Sequence, residues 1–290
     1  MFRADQTSDV LELNDDGGKS AVTIAPERGA IVTRFRVGNR DVLFLDRSTL
    51  ADRTKNVRGG VPLLFPSPGR LTGDRFERGG RSGSMKQHGF ARDVAWTLVG
   101  VSTDDDARAT FAIESTDATR AMYPWDFRLA VTYALRGSRL RLEVTVDNTS
   151  KDPMPFAFGI HPYFLVHDKA RASIATRATR AFDNVTKKVV PFHGFDLTAP
   201  EVDMHLLDHG STDSALSWGD GGDGARLAIR ASPEFGRWVV WTLAGRDFVC
   251  VEPWTAPGDA LNTGESLLEL APGGQHQLWI EMELEDAGRS

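Results

Sequence analysis

Arg128-Leu129-Ala130-Val131-Thr132-Tyr133, the turn Arg136-Gly137-Ser138, and Leu140-Arg141-Leu142-Glu143-Val144-Thr145-Val146 decide the fold class. In the last run Leu140, Leu142, Val144 and Val146 alternate with Arg141, Glu143 and Thr145. A period of two sends all four apolar side chains to one face of a strand, whereas a helix scatters them around its axis. The Gly-Ser turn between the runs reads as a hairpin, so the pair is predicted to be antiparallel, with one face buried and one wet.

The same rhythm extends in both directions. Ala21–Ile24, Ile31–Val37, Val42–Leu45 and Thr110–Ile113 read as strands before the hairpin, with Gly38-Asn39 as a turn. After it come Arg226–Arg230, Trp238–Thr242, Phe248–Val251 and Gln277–Met282. Helical candidates are short, Thr116–Met122 being the clearest. Many strands without strand–helix alternation predict an all-β protein, a large antiparallel β-sandwich. Arg70–Lys86 and Pro191–Thr212 lack a pattern and read as long loops. No linker-like or repetitive tract divides the chain, so residues 1–290 are expected to form one domain.

Composition narrows the function classes. Of 290 residues, 41% are hydrophobic and 26% charged, enough apolar surface for a sizeable core. A net charge of −6 argues against a general polyanion binder, so no nucleic-acid partner is expected. The one cysteine, Cys250, lies in an apolar run and reads as a buried strand residue; no internal disulfide is possible, which suits a reducing compartment. The N-terminus lacks an apolar signal core and no run is long enough to span a bilayer, so a cytoplasmic location without membrane association is expected.

Chemistry-bearing residues fall in four blocks. Val57-Arg58-Gly59-Gly60-Val61-Pro62 sets a guanidinium, with its fixed fork of donors, beside two glycines that permit close backbone approach. It is not a phosphate loop, because the Lys-Ser/Thr ending is missing. Gln87-His88-Gly89-Phe90-Ala91-Arg92 offers Gln87, His88 and Arg92 as donors to a polyhydroxylated ligand. Gly159-Ile160-His161-Pro162-Tyr163-Phe164 places His161 among aromatic residues, where an imidazole can exchange protons near neutral pH. Val251-Glu252-Pro253-Trp254 ends an apolar strand on a carboxylate, and burial there raises its basicity while Trp254 offers a flat wall for a sugar. A fifth candidate is Asp213, just ahead of a strand, with Asp203 and Asp208 nearby. Each has a structural alternative: a packed histidine, a solvated arginine, a Glu252–Arg58 ion pair. His205 and His209, four apart, read as solvated loop residues, and no close ligand spacing predicts a metal. A serine-hydrolase elbow is absent.

In this order the blocks resemble the aldose 1-epimerase (mutarotase) superfamily, closest to its glucose-6-phosphate 1-epimerase-like branch. The resemblance rests on Arg58-Gly59-Gly60-Val61-Pro62, His88-Gly89-Phe90-Ala91-Arg92, His161-Pro162-Tyr163-Phe164 and Val251-Glu252, and spans roughly residues 20–285. It implies a galactose mutarotase-like sandwich and interconversion of the α and β anomers of a hexose or hexose 6-phosphate. It further implies an isomerase needing no cofactor, with Glu252 as general base and His161 as general acid. His88 is then expected to hold the sugar near its ring oxygen and Asp213 to bind hydroxyls. Arg58 and Arg92 shape a sugar-phosphate site, and Gln87, Tyr163 and Trp254 line the pyranose. The chain departs from the branch in its basic Arg70–Lys86 insert and in Pro253-Trp254. The expected partner is a small sugar or sugar phosphate, with the protein a monomer or homodimer. The competing expectation is a carbohydrate-binding protein on the same sandwich that has lost the chemistry; a polysaccharide lyase or hydrolase would need a further catalytic domain.

Overall fold

The computed structural model describes residues 1–219 and 224–286. The deciding hairpin forms as read. Phe127–Arg136 and Arg139–Asn148 pair antiparallel over their full lengths, from Phe127 opposite Asn148 to Arg136 opposite Arg139. Leu140, Leu142, Val144 and Val146 are buried while the residues between them are half-exposed, as the period of two requires.

This hairpin lies within an eight-stranded sheet ordered Ser173–Ala175, Asp213–Trp218, Ala225–Ala231, Gln275–Asp286, Arg139–Asn148, Phe127–Arg136, Ala107–Glu114 and Thr97–Ser102. Gln275–Asp286 pairs on one side with Arg139–Asn148 and on the other with Ala225–Ala231, so it ties the middle of the chain to its last third. A second eight-stranded sheet runs Lys188–Pro191, Arg180–Asp183, Glu201–Leu206, Arg237–Leu243, Phe248–Trp254, Gly159–Ile160 and Leu63–Leu64, with Tyr163–Leu165 also pairing on Phe248–Trp254. The N-terminal strands Phe2–Gln6, Leu11–Asp15, Ser20–Ala25, Ile31–Val37 and Arg40–Asp41 form a five-stranded sheet. It packs on Ala107–Glu114 and Phe127–Arg136. All named strand pairs are antiparallel, and the architecture is the expected β-sandwich. No described helix is long and apolar enough to cross a membrane.

One large apolar cluster fills the space between layers. Its aromatic centre is Phe65, with Phe127 at 5.2 Å, Phe90 at 6.0 Å edge-on and Tyr123 at 6.0 Å. Two buried phenols are satisfied by backbone: Tyr133 donates to Ala30 O at 2.6 Å and Tyr123 to Pro155 O at 2.5 Å.

The short helix is Asp117–Met122, capped by Thr116, whose Oγ1 accepts from Thr119 N. Three local expectations are corrected. Arg70–Lys86 is not a loop: Arg75–Arg78 pairs with Arg81–Ser84 across Gly79-Gly80, both with positive φ, as a tight hairpin turn requires. Phe76 stacks on Trp125 at 6.0 Å and Arg81 lies over the same indole, so the hairpin is bolted to the body rather than free to close as a lid. Pro191–Thr212 contains the strand Glu201–Leu206. Val42–Leu45 is not a regular strand; it passes from one sheet to another, making single bridges from Leu43 to Phe164 and from Leu45 to Gly59.

Phe127→Ala is expected to lower unfolding stability by about 3–5 kcal/mol, and Tyr133→Phe by about 1 kcal/mol. Urea titration should show both as shifts of the midpoint at unchanged slope.

Candidate active site

Strand Phe248–Trp254 positions the site by alternation. Cys250, Glu252 and Trp254 share one face, while Val249 and Val251 enter the main core. Directly opposed residues in antiparallel strands face the same way. Val239 therefore sits beside Glu252, His205 beside Val239 and Phe182 beside His205. A parallel row runs Tyr163, Cys250, Trp241, Asp203. Apart from the fully buried Cys250, these rows floor a cleft of about 600 Å³. Its other wall comes from the segments carrying Arg58, Arg70, Gln87, His88, Arg92 and His161.

His161 and Glu252 form the centre. His161 Nε2 lies 3.4 Å from Glu252 Oε1, with the two side chains 10% and 1% exposed. Glu252 Oε2 accepts from the Trp254 indole at 3.1 Å. Gly159 permits this arrangement, since a Cβ there would stand 2.7 Å from Trp254 Cδ1. The imidazole stacks on Tyr163 at 4.7 Å and 11°. Its Nδ1 is buried without a hydrogen-bond partner. Burial lowers the His161 pKa well below 6.5, reinforced by His88 and Arg92. Burial raises that of Glu252 well above 4.5, and Asp203 adds to it. The uncharged pair, carboxylic acid beside imidazole, is the resting form these effects favour.

His88 adjoins the pair, edge-on to His161 at 5.5 Å and to Trp254 at 6.0 Å. It has positive φ, as does Gly89, where a Cβ would fall 2.1 Å from Phe65 O. This tight turn aims the ring so that Nδ1 bonds the Pro68 carbonyl. Burial lowers the His88 pKa to about 3, with Arg92 contributing. Gln87 and Arg58 stand exposed at the mouth, and Arg92 is half-buried with Nη2 donating to Gln87 O at 3.1 Å. The Arg58 guanidinium has no partner among the described residues. Of the insert's arginines only Arg70 lines the cleft, held to Asp74 at 3.0 Å.

Residues 9–283 match the family model described as aldose 1-epimerase. The chain belongs to the aldose 1-epimerase family. Its fold follows that of the Slr1438 protein from Synechocystis sp. PCC 6803, at 33% identity and TM-score 0.93 over 99% of this chain and 98% of that one. A galactose mutarotase-like protein from Clostridium acetobutylicum shares the fold at 16% identity and TM-score 0.81, covering 99% of this chain and 98% of that one. An Escherichia coli (strain K12) relative, provisionally named glucose-6-phosphate 1-epimerase, is 30% identical over 149 residues, 51% of this chain. The match spans 46%, about half, of that relative's length. Protein LacX (plasmid) of Lactococcus lactis is 26% identical over 238 residues, covering 72% of this chain and 78% of the relative.

Within this family member the cleft gathers Arg58, Gln87, His88, Arg92, His161, Tyr163, Glu252 and Trp254, but not Asp213. Asp213 is exposed at the start of a strand in the other sheet. Its carboxylate accepts from Ser211 Oγ at 2.7 Å, and its carbonyl bonds His209 Nε2 at 2.9 Å. Asp208 is also outside, bonded to Thr179 and Arg180. Asp203 is the acid that faces the cleft, with Asn184 Nδ2 donating to Oδ2 at 2.6 Å and His205 Nε2 3.5 Å from Oδ1. The expectation of solvated histidines is corrected too: His205 is 14% exposed on the cleft face and His209 is buried. Sequence reading missed His205, Trp241, Asn184 and Lys187. The alternation Glu201-Val202-Asp203-Met204-His205-Leu206 is the signal for the first, since it puts Asp203 and His205 on one face.

His161, Cys250 and Glu252 bring one ligand atom each within 4.8 Å of one another. Burial pushes the Cys250 thiol well above its ordinary 9.0, so without a metal it stays protonated at neutral pH.

Asp203→Asn is expected to weaken sugar binding about tenfold or more. Asp213→Asn should leave it unchanged. Titration calorimetry with glucose and glucose 6-phosphate compares the two.

Proposed function

We propose that this chain interconverts the α and β anomers of a hexose or hexose 6-phosphate. The carrying observation is the buried His161–Glu252 pair, 3.4 Å apart, on the floor of an open polar and aromatic cleft. Family membership supports the reaction class. The provisional name of the 30% identical relative, together with Arg58, Arg70, Arg92 and Lys187 at the cleft, supports the sugar phosphate.

Anomer exchange takes a proton from the hydroxyl on C1 and gives one to the ring oxygen. The C1–O5 bond breaks, C1 becomes an aldehyde carbon, the C1–C2 bond turns, and the ring closes on the other face. In ring opening, Glu252 as carboxylate receives the C1 hydroxyl proton and His161 as imidazolium protonates O5. They finish as carboxylic acid and neutral imidazole, and closure reverses both transfers. The form that burial favours in the free protein is the form the pair takes beside the open-chain sugar. A cyclic sugar therefore enters with transfer of one proton from Glu252 to His161, as its hydroxyls solvate the carboxylate. Asp203, Asn184 and His205 take the hydroxyl-binding place first given to Asp213, and Trp254 and Tyr163 flank the ring.

Exchange NMR on α-glucose, α-galactose and α-glucose 6-phosphate is expected to show acceleration over buffer with at least one. No acceleration with any of the three contradicts the reading, and binding without exchange would leave a sugar-binding protein. Glu252→Gln and His161→Asn should each lower kcat by about 100-fold or more.

The pH profile follows from the pair's single proton. Adding a second requires charged His161, which burial opposes, so the acid limb of kcat/KM lies below 6.5. Removing the last leaves an unpaired Glu252 carboxylate, opposed by burial and Asp203, so the alkaline limb lies well above 4.5. The expected result is an acid limb below 6.5 and an alkaline limb well above 4.5; a rise centred on 6.5 would contradict it.

A further inference from the structure

The donor role expected of His88 does not fit its geometry. A carbonyl oxygen can only accept, so the contact between His88 Nδ1 and Pro68 O puts the ring hydrogen on Nδ1. The second nitrogen, Nε2, has no partner among the described residues and is not sealed off, on a side chain that lines the cleft. We propose that His88 presents a fixed lone pair to the ligand, so that its place in the cleft selects a sugar hydroxyl and rejects a ring ether oxygen, a carbonyl or a phosphate oxygen.

Three features hold this state. The left-handed turn at His88 and Gly89 fixes the ring's direction, and side chains at Gly89 are shut out by Phe65 O. The imidazole stands edge-on to both His161 and Trp254, which bars a ring flip that would exchange the two nitrogens. Among the charged groups around it, Arg92 and His205 oppose a second ring proton, and Asp203 alone favours one; desolvation outweighs them all, so the ring remains neutral.

The consequence is a divided cleft. Arg58 and Arg92 donate and Asp203 accepts, as charged groups do toward many partners. His88 is a neutral acceptor with one permitted partner type, which makes it a specificity-determining residue rather than a proton donor in the reaction. A ligand with an acceptor-only oxygen at this place meets lone pair against lone pair, and one lacking the hydroxyl leaves Nε2 dry and unpaired.

This inference rests on the sugar-binding reading of the cleft, but its test does not depend on anomer exchange. Nitrogen-15 NMR of the full chain labelled at histidine, with His88 assigned by its loss in His88→Asn, reads both ring nitrogens directly. The expected spectrum of the free protein has a hydrogen-bearing Nδ1 and a bare Nε2, unchanged between pH 5 and pH 8. Saturation with glucose or glucose 6-phosphate should move the Nε2 resonance partway toward the hydrogen-bonded range and leave Nδ1 in place. An Nε2–H tautomer, an imidazolium in that pH range, or an Nε2 resonance unmoved while the Trp254 indole signal responds to sugar would each overturn the proposal. Failure of anomer exchange with the Nε2 shift intact would instead remove the catalytic reading and keep this one.

Discussion

A carboxyl group cannot be placed at 1% exposure in the middle of a sheet without a proton or a partner. That constraint at Glu252 organises the whole site. Desolvation favours the acid form, the Trp254 indole supplies one hydrogen bond, and His161 supplies a neighbour that can take the proton when a sugar arrives. The sandwich makes such burial possible, because the strand carrying Glu252 has strands on both sides and a hydrophobic layer beneath Val249 and Val251. The exposed groups of the mouth, Arg58 and Gln87, are by contrast free to adapt to what enters.

The flanking aromatic residues serve the same constraint. Tyr163 stacks on His161, Trp241 meets it edge-on, and His88 closes the third side. Together they limit the imidazole to one orientation, in which Nε2 faces Glu252. The price in hydrogen bonding falls on His161 Nδ1, which has none.

Much of this was legible in the chain. The alternation at Leu140–Val146 and the Gly-Ser turn determine the hairpin because burial of one face leaves no other register. Glu252 and Trp254 stand out because a carboxylate and an indole two apart on an apolar strand must share a face. His161 and His88 were visible through the glycines beside them, which the structure explains by close approach of Trp254 and Phe65. Asp203 and His205 were not legible at the same level. Their strand is framed by Pro200 and polar loops, and its apolar members are only Val202, Met204 and Leu206, so the alternation reads weakly until the neighbouring strand Arg237–Leu243 pairs with it. Asp213 was the wrong acid because proximity to a strand says nothing about which sheet that strand joins. The insert hairpin was hidden for a related reason: Phe76 is its one large apolar anchor, and its partner Trp125 lies on the far side of a helix in the sequence.

The proposed chemistry requires that Glu252 rest as a carboxylic acid and give up its proton when sugar binds. Infrared difference spectroscopy of the wild-type protein against Glu252→Gln at neutral pH reads that group directly. The expected spectrum has a protonated-carboxyl band in the free protein that disappears on saturation with a cyclic sugar. An ionised carboxylate in the free protein, or a protonated band indifferent to sugar, would contradict it.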